Sequence, residues 1–312
     1  MKKKLISVIA ACYNEEESLH EILNRTYTVF KKLQNYSLEL IFVDNDSTDN
    51  SYKILEKLAK NNKQIKVIFM SRNFGSPQPS FLAGLENSNG DAAIFLHGDL
   101  QDPPELIPKF IKKWEEGYDV VYGQRNKRKG YGAIMNLLYR GFYTLLRKLA
   151  YINIPLNAGE FSLINRQVIN ELLKIKEYDY YLRGLRAYVG FKQIGINYIR
   201  EARKHGKSTE NLFTSLYWAK TIIVNFSFKP LSWISGLAFF IVILSLISIV
   251  TFLIYYFINP NSPRGIPTLF ILILFLGGVQ LLSLSVIAEY ISKIFLEVKG
   301  RPKYIIKKIL NK

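Results

Sequence analysis

An open, largely parallel α/β sheet with helices on both faces, leading into a two-helix apolar hairpin, is the fold that the sequence predicts. Three observations carry it. Short apolar, β-branched runs alternate with longer stretches of helical composition over the first 122 residues. Polar clusters follow the ends of those runs, which is where sheets of this kind bind their ligands. Two long charge-free stretches then occupy residues 234–258 and 265–288. At 312 residues the chain can bury a sizeable core, as one large domain or two smaller ones.

Taken in order, the runs at 5–11, 38–43, 65–70, 92–96 and 119–122 read as strands. The clusters behind them are "YNEEES", "DNDSTDNS", "SRNFGS" and "HGDLQD". Residues 123–132, "GQRNKRKGYG", are basic, glycine-flanked and poor in apolar side chains, so they read as a mobile loop. Residues 212–233 mix aromatic and aliphatic side chains with Lys220 and Lys229 and read as helices lying in a membrane interface. Each charge-free stretch is apolar on every face, unlike a core helix of a soluble protein. As a helix of about 25 residues rising roughly 1.5 Å each, the first reaches about 37 Å, enough to cross a hydrocarbon layer. The expected organisation is an α/β domain at 1–208, interfacial helices at 209–233, spans at 234–258 and 267–290 joined by an outer loop at 259–266, and a basic tail at 291–312.

The formal charge of +17 is concentrated accordingly. Lys293, Lys299, Arg301, Lys303, Lys307, Lys308 and Lys312 follow the second stretch, whereas the connecting "NPNSPRG" carries Arg264. The positive-inside bias therefore puts both ends in the cytoplasm. No zinc-ligand spacing, RNA-binding aromatic signature or recognition-helix pattern points to nucleic acid, so anionic lipid and phosphate substrates account for the basic balance. The opening "MKKKLISVIAAC" imitates a lipoprotein signal, but its apolar stretch is short and cleavage before Cys12 would remove the first core strand. A single cysteine excludes an internal disulfide and fits a reducing compartment.

Each polar cluster also has a plain structural reading. Asn14 with Glu17, and Asp102 with Glu105 behind Pro103, have capping-box spacing, and Ser47, Thr48 and Asp49 are cap residues for the helix that follows them. Capping leaves Asp99 and Gln101 unexplained, because they precede the cap at a strand end, and Asp44 is placed the same way. Several carboxylates at one sheet edge repel one another unless a cation or hydrogen-bond donors lie among them, and a bound divalent metal is the simplest resolution.

The words "ISVIAACYNEEESL", "LELIFVDNDSTDNS", "SRNFG", "LAGL", "GDLQDPPELI", "WEEGYDVVYGQR" and "NAGEFSLINRQV" together resemble the family 2 glycosyltransferases of the GT-A fold. More narrowly they are similar to the polyprenyl-phosphate glycosyltransferases, the branch like dolichol-phosphate mannose synthase, and the likeness runs through "REARKHGKS" to "EYISKIFLEVKGRPKY". The Q-x-x-R-W word and additional spans of the processive polysaccharide synthases are absent. The resemblance implies inverting transfer of a hexose from a nucleotide diphosphate sugar, UDP-glucose or a similar donor, to undecaprenyl phosphate at the cytoplasmic membrane. It implies a nucleotide pocket lined by Ala11, Tyr13, Glu15, Asp44, Asn73, His97 and Gly98, and a metal held by Asp99 and Gln101, with manganese favoured over magnesium. It places Arg125 and Arg203 on phosphates of donor or acceptor, and Glu160, where aspartate is usual, near the sugar or acceptor. Gly277 and Gly278 permit close helix packing and hence a homo-oligomer.

His97 stands where the first aspartate of the family's D-x-D-L-Q word is expected. Losing a carboxylate about 4 Å from a cation forfeits about 4 kcal/mol at an effective dielectric of ~20, before water compensates. A neutral imidazole suits manganese or zinc better than magnesium, and hydrogen bonding to the base or to a backbone carbonyl is the alternative role. Other departures are Ala11 for proline, Asp46 for glycine, and Ser208 to Thr209 for Ser-Lys, with Lys207 nearby. The rival function is a membrane-anchored nucleotide-sugar binder with impaired catalysis. A flippase or channel is disfavoured, because two spans offer no charged path through the membrane.

Overall fold

β1 (Lys4–Cys12), the first apolar run, is paired in parallel with β2 (Tyr36–Asp44) on one side and with β4 (Ala92–His97) on the other. β3 (Ile65–Met70) extends the sheet in parallel beyond β2. The computed structural model describes residues 3–128, 149–155, 158–201, 220–221, 223–258 and 265–312. The remaining strands are β5 (Val120–Arg128), β6 (Ala158–Asn165), β7 (Gln193–Arg200) and β8 (Ile306–Leu310), and the sheet order is β7-β5-β6-β4-β1-β2-β3-β8. β6 runs antiparallel between β4 and β5, and β8 runs antiparallel to β3, while β5 and β7 are parallel. The expected open, mostly parallel sheet is therefore present, with antiparallel members that the alternation of runs did not reveal.

Side chains alternate across the strands, so β1 feeds two layers. Ile6, Val8 and Ala10 join a core with Leu19 and Ile22 of α1 (Leu19–Lys31), Leu55 of α2 (Ser51–Asn61) and Phe110 of α4 (Ile107–Glu115). Ile9 faces the other way, onto α3 (Pro77–Glu86). There Gly84, from the "LAGL" word, lies so close that a Cβ would stand 2.3 Å from Ile9 Cγ2 and 3.3 Å from Val43 Cγ2. Gly84→Ala is therefore expected to destabilise the fold by about 1–3 kcal/mol, as overpacked cores do. Thermal unfolding of the detergent-solubilised chain checks this, and an unchanged midpoint would refute the close approach. α5 (Arg166–Lys174) and α6 (Leu182–Tyr188) complete the helical layers.

Several expectations are corrected here. Residues 123–128, read as part of a mobile loop, are the second half of β5 and pair with β7, while 129–132 lie outside the described residues. The tail is not uniformly a tail: residues 306–310 are the edge strand β8, whose outward lysines suit an edge position. It is fastened by Lys308 Nζ to Glu56 Oε1 at 2.9 Å and by Asn311 Nδ2, which donates to the carbonyls of Ala59 and Ile65 at 2.7 and 2.9 Å.

The described residues divide into two compact units. One holds everything through residue 201 except 149–151, together with 301–312; the other holds 149–151, 220–221, 223–258 and 265–300. The second unit contains α7 (Lys229–Ile258) and α8 (Ile266–Val298), both long and apolar enough to cross a membrane. Large apolar side chains stand exposed along them, Phe239 at 68%, Phe257 at 80% and Leu281 at 70% among them. That pattern opposes a role as core helices. α7 begins at Lys229, inside the stretch expected as interfacial, and α8 runs past 290. Of the interfacial stretch, residues 220–221 and 223–226 are helical, and 209–219 lie outside the described residues.

Candidate active site

The registers Ala11↔His97 and Cys12↔Asp44 bring the carboxyl ends of β4, β1 and β2 level, so the loops that follow open on one crevice. Side chains stitch those loops together. Ser47 Oγ accepts from the Asn14 amide at 2.9 Å, and Asn14 Oδ1 accepts from the Thr48 amide at 2.8 Å. Asp49 Oδ2 accepts from the Glu16 amide at 3.1 Å, and Glu16 Oε2 accepts from the Asn50 amide at 2.9 Å. Ser18 donates to the Gly98 carbonyl at 2.7 Å, and Gly98 donates to the Ala11 carbonyl at 2.9 Å. Asn45 Nδ2 donates to Asn73 Oδ1 at 3.1 Å, which ties in the "SRNFGS" loop.

Two capping boxes are thereby overturned. Asn14 has φ of 55° and bonds the neighbouring loop, while α1 begins later, at Leu19 behind Ser18. Asp102 is fully buried and faces other side chains, and the short 3-10 turn Pro104–Leu106 starts behind Pro103 without a side-chain cap. Asp49 does meet its expectation in part, accepting from the Ser51 amide at 2.9 Å. Asp46 has φ of 62°, the left-handed region, which explains why glycine is common there. Asp46→Gly is expected to raise stability by about 1 kcal/mol, read as a higher unfolding midpoint, and a lower one would contradict the strain argument.

The residues expected on the nucleotide side stand at or just past the carboxyl ends of β1 to β4. Tyr13 is exposed, Glu15 is buried and accepts from the Ser18 hydroxyl, and Asp44 accepts from the Ser47 hydroxyl and amide. Burial raises the Asp44 carboxyl above its usual value, opposed by the two Ser47 bonds. Burial, with the fields of Asp44 and Glu15, pushes the Cys12 thiol well up, so it is no nucleophile.

The other side of the crevice is cationic. Arg125 is a buried strand residue, not a loop charge, and its Nε donates to Tyr198 Oη at 3.3 Å. Tyr198 in turn donates to Asp102 Oδ1. Arg200 Nε lies 3.8 Å from the same Asp102 oxygen, and its Nη2 lies 3.7 Å from Asp99 Oδ2. Glu160 takes Arg183 Nε at 2.8 Å and Gln78 Nε2 at 3.3 Å on Oε1, and has His97 Nε2 at 3.6 Å from Oε2. Burial alone would raise the Glu160 carboxyl, yet Arg183 and His97 hold it well below its ordinary value. For His97 burial lowers the imidazole, and the Glu160 contact with the Asp99 field outweighs it, so its pKa is raised. Arg186, fully buried beneath, donates to Ser162 Oγ at 2.6 Å and is lowered by burial to about 10.

Sequence reasoning missed Gln78, Asp102, Arg183, Tyr198 and Arg200. The available signals were "RGLR", two cations three residues apart in an aromatic helix, and Asp102 behind Gln101. Arg203, Lys207, Ser208 and Thr209 lie outside the described residues.

A metal fits this site in one form. Asp99 Oδ1 accepts from the Gln101 amide at 3.1 Å, Gln101 Nε2 donates to the Glu201 carbonyl at 3.1 Å, and Nε2 of His97 faces Glu160. Among the described residues no group of three or more His, Cys, Asp or Glu is arranged to hold an ion. One carboxylate with an amide suits an ion that arrives with a diphosphate, as magnesium-type ions commonly do. His97 Nε2, the nitrogen through which an imidazole would reach a metal from this strand end, lies 3.6 Å from Glu160 Oε2.

The family model described as glycosyl transferase family 2 matches residues 7–173. The chain belongs to that family. It is a glycosyltransferase, and its relatives match it from end to end. The putative glycosyltransferase CsbB of Bacillus subtilis is 38% identical over 98% of this chain and 92% of its own. The SfII prophage-derived bactoprenol glucosyl transferase of Shigella flexneri is 35% identical over 97% of each. Among solved structures, the glucosyl-3-phosphoglycerate synthase of Mycobacterium tuberculosis with Mn2+, UDP and glucosyl-3-phosphoglycerate is 18% identical, with a TM-score of 0.48 over 71% of this chain and 78% of that one.

Proposed function

We propose that this glycosyltransferase moves glucose, with inversion, from UDP-glucose to a polyprenyl phosphate at the cytoplasmic face of a membrane. The observation that carries this reading is the end-to-end relation to a bactoprenol glucosyl transferase. The crevice suits it: Tyr13 offers a face for the base, and Arg125 and Arg200 lie on the side where a diphosphate needs cations. An acceptor phosphate oxygen attacks the anomeric carbon, the bond to the diphosphate breaks, and its electron pair leaves with UDP. Asp99 and Gln101 would hold a divalent ion, which would supply positive charge to offset that of the leaving diphosphate. Manganese and magnesium both satisfy that role.

The membrane reading is supported by the chain path. β7 precedes α7 and β8 follows α8, yet both belong to one sheet, so a hairpin of two spans starts and ends on the same side. Basic residues after α8 favour the cytoplasm and anionic lipid for that side. Atoms built as Cβ on Gly277 or Gly278 would meet nothing within 4 Å, which leaves room for a neighbouring helix in a homo-oligomer.

Glu160 serves here as a fixed charge and not as a base. Its folded value is depressed, so its contribution to stability is present above the ordinary carboxylate value of 4.5 and is lost as pH falls through the lower one. The acceptor phosphate, whose second pKa is about 6, is already ionised at neutral pH and needs no base. The transfer rate is therefore expected to rise with pH through about 6 and then level. A second rising limb near pH 7 to 8, seen in a pH–rate profile, would reinstate a general base.

Membranes holding the full chain, supplied with radiolabelled UDP-glucose, polyprenyl phosphate and a divalent ion, should yield label in the lipid fraction. Label from another nucleotide sugar alone would replace the donor. No labelled lipid from any donor, with nucleotide binding intact, would favour the binding protein without catalysis.

A further inference from the structure

β4 and β6 run antiparallel with Phe95 opposite Ser162, and one side-chain period further that register sets His97 opposite Glu160 on the same face. The contact is made, with His97 Nε2 3.6 Å from Glu160 Oε2 and both side chains mostly buried. Each partner is fixed from behind. The His97 ring packs edge-on against Phe81, with centroids 5.1 Å apart, and the second Glu160 oxygen takes Arg183 at 2.8 Å and Gln78 at 3.3 Å.

Two carboxylates directly opposite on neighbouring strands repel, and a buried pair of that kind calls for a cation beside it. An imidazole facing a carboxylate does not, and the extra methylene of glutamate supplies the reach across the strands. We infer that His97 and Glu160 are a positioning pair that assembles this side of the crevice without a metal ion. Asp99 and Gln101 are then left to meet an ion that enters with the nucleotide diphosphate. The free protein holds no divalent ion at the β4 end, and its crevice stays formed in chelator.

This deepens the proposed transfer reaction and rests on it only for the identity of the nucleotide, so its test uses neither acceptor nor turnover. The full chain in detergent is compared as wild type, His97→Asp, Glu160→Gln and His97→Asp with Glu160→Gln. Binding of Mn2+ without nucleotide is read from the signal of the free ion, and unfolding midpoints are measured in EDTA. His97→Asp is expected to bind Mn2+ at least about tenfold tighter than wild type, which a merely structural role for His97 would not produce. It is also expected to melt several degrees lower in EDTA, and adding Glu160→Gln should remove that loss because the opposing charge is gone. Mn2+ binding to wild type as tight as to His97→Asp would overturn the inference, and so would equal midpoints for His97→Asp with and without Glu160→Gln. If His97→Asp does not fold at all, a folded double variant supports the pair and an unfolded one overturns it. Failure of the transfer reading shows separately, as wild type that binds no UDP with or without Mn2+.

Discussion

Asp99→Ala is expected to lower kcat for glucosyl transfer about a hundred- to a thousandfold, close to the loss that follows removal of one preorganised charge-stabilising group. The argument is positional. β4 ends two residues earlier, the Gln101 amide pins Oδ1 at 3.1 Å, and Oδ2 faces Arg200 at 3.7 Å. With His97 turned to Glu160, Asp99 is the carboxylate at this strand end available to an ion carried in on the diphosphate. On the proposed reading, removing it takes away the anchor of that ion, together with an anion 3.7 Å from Arg200. Because the acceptor is already ionised, leaving-group stabilisation carries the barrier, so the loss should fall on kcat more than on binding of UDP alone. Asp99→Asn separates charge from shape: an equal loss assigns the effect to charge. Activity within tenfold of wild type for Asp99→Ala, in the lipid-label assay, would remove Asp99 from the mechanism.

How far the sequence could be read depended on where each residue's partners lie. β1 to β4 are apolar on both faces because helices cover both, so their runs are plain in composition. β8 is an edge strand whose "IKKIL" reads as part of a basic tail until β3 is seen beside it. β5 continues through "GQRNKR" because pairing with β7 satisfies its backbone and Arg125 turns inward, a fact that local polarity hides. The capping-box spacings misled for a related reason. Asn14 and Asp102 do bond as polar residues at chain turns do, but their partners are 34 and 96 residues away. Strand-end words and the family resemblance were sufficient to nominate Ala11, Tyr13, Glu15, Asp44, Asn73 and Gly98, all of which lie at or just past the carboxyl ends of β1 to β4. The cationic side needed the fold, since nothing local joins Arg183 to Glu160 or Tyr198 to Asp102.

Asp102→Ala should be the most destabilising change at the site, by about 3–5 kcal/mol, because it strands the buried Arg125 and the half-buried Arg200. Asp102 is fully buried, and one of its oxygens serves both Tyr198 and Arg200, while Tyr198 passes the anchor on to Arg125. Burial and the Asp102 field hold the Tyr198 phenol above its usual value, so it stays protonated and donates toward the aspartate. Arg125 stays charged despite burial because Asp102 and Tyr198 offset the loss of water. Tyr198→Phe breaks the relay but keeps the anion, and should cost about 1–3 kcal/mol. Asp102→Asn keeps an acceptor and removes the charge, so it should fall between the two. Unfolding midpoints give the order, and on the proposed reading kcat/KM for UDP-glucose should fall for all three, since Arg125 and Arg200 are held through Asp102 and Tyr198. An Asp102→Ala chain as stable as wild type would mean that the cations find water or other anions. The buried aspartate would then be a consequence of how β5 and β7 close on the turn after β4, and not the charge that sets them.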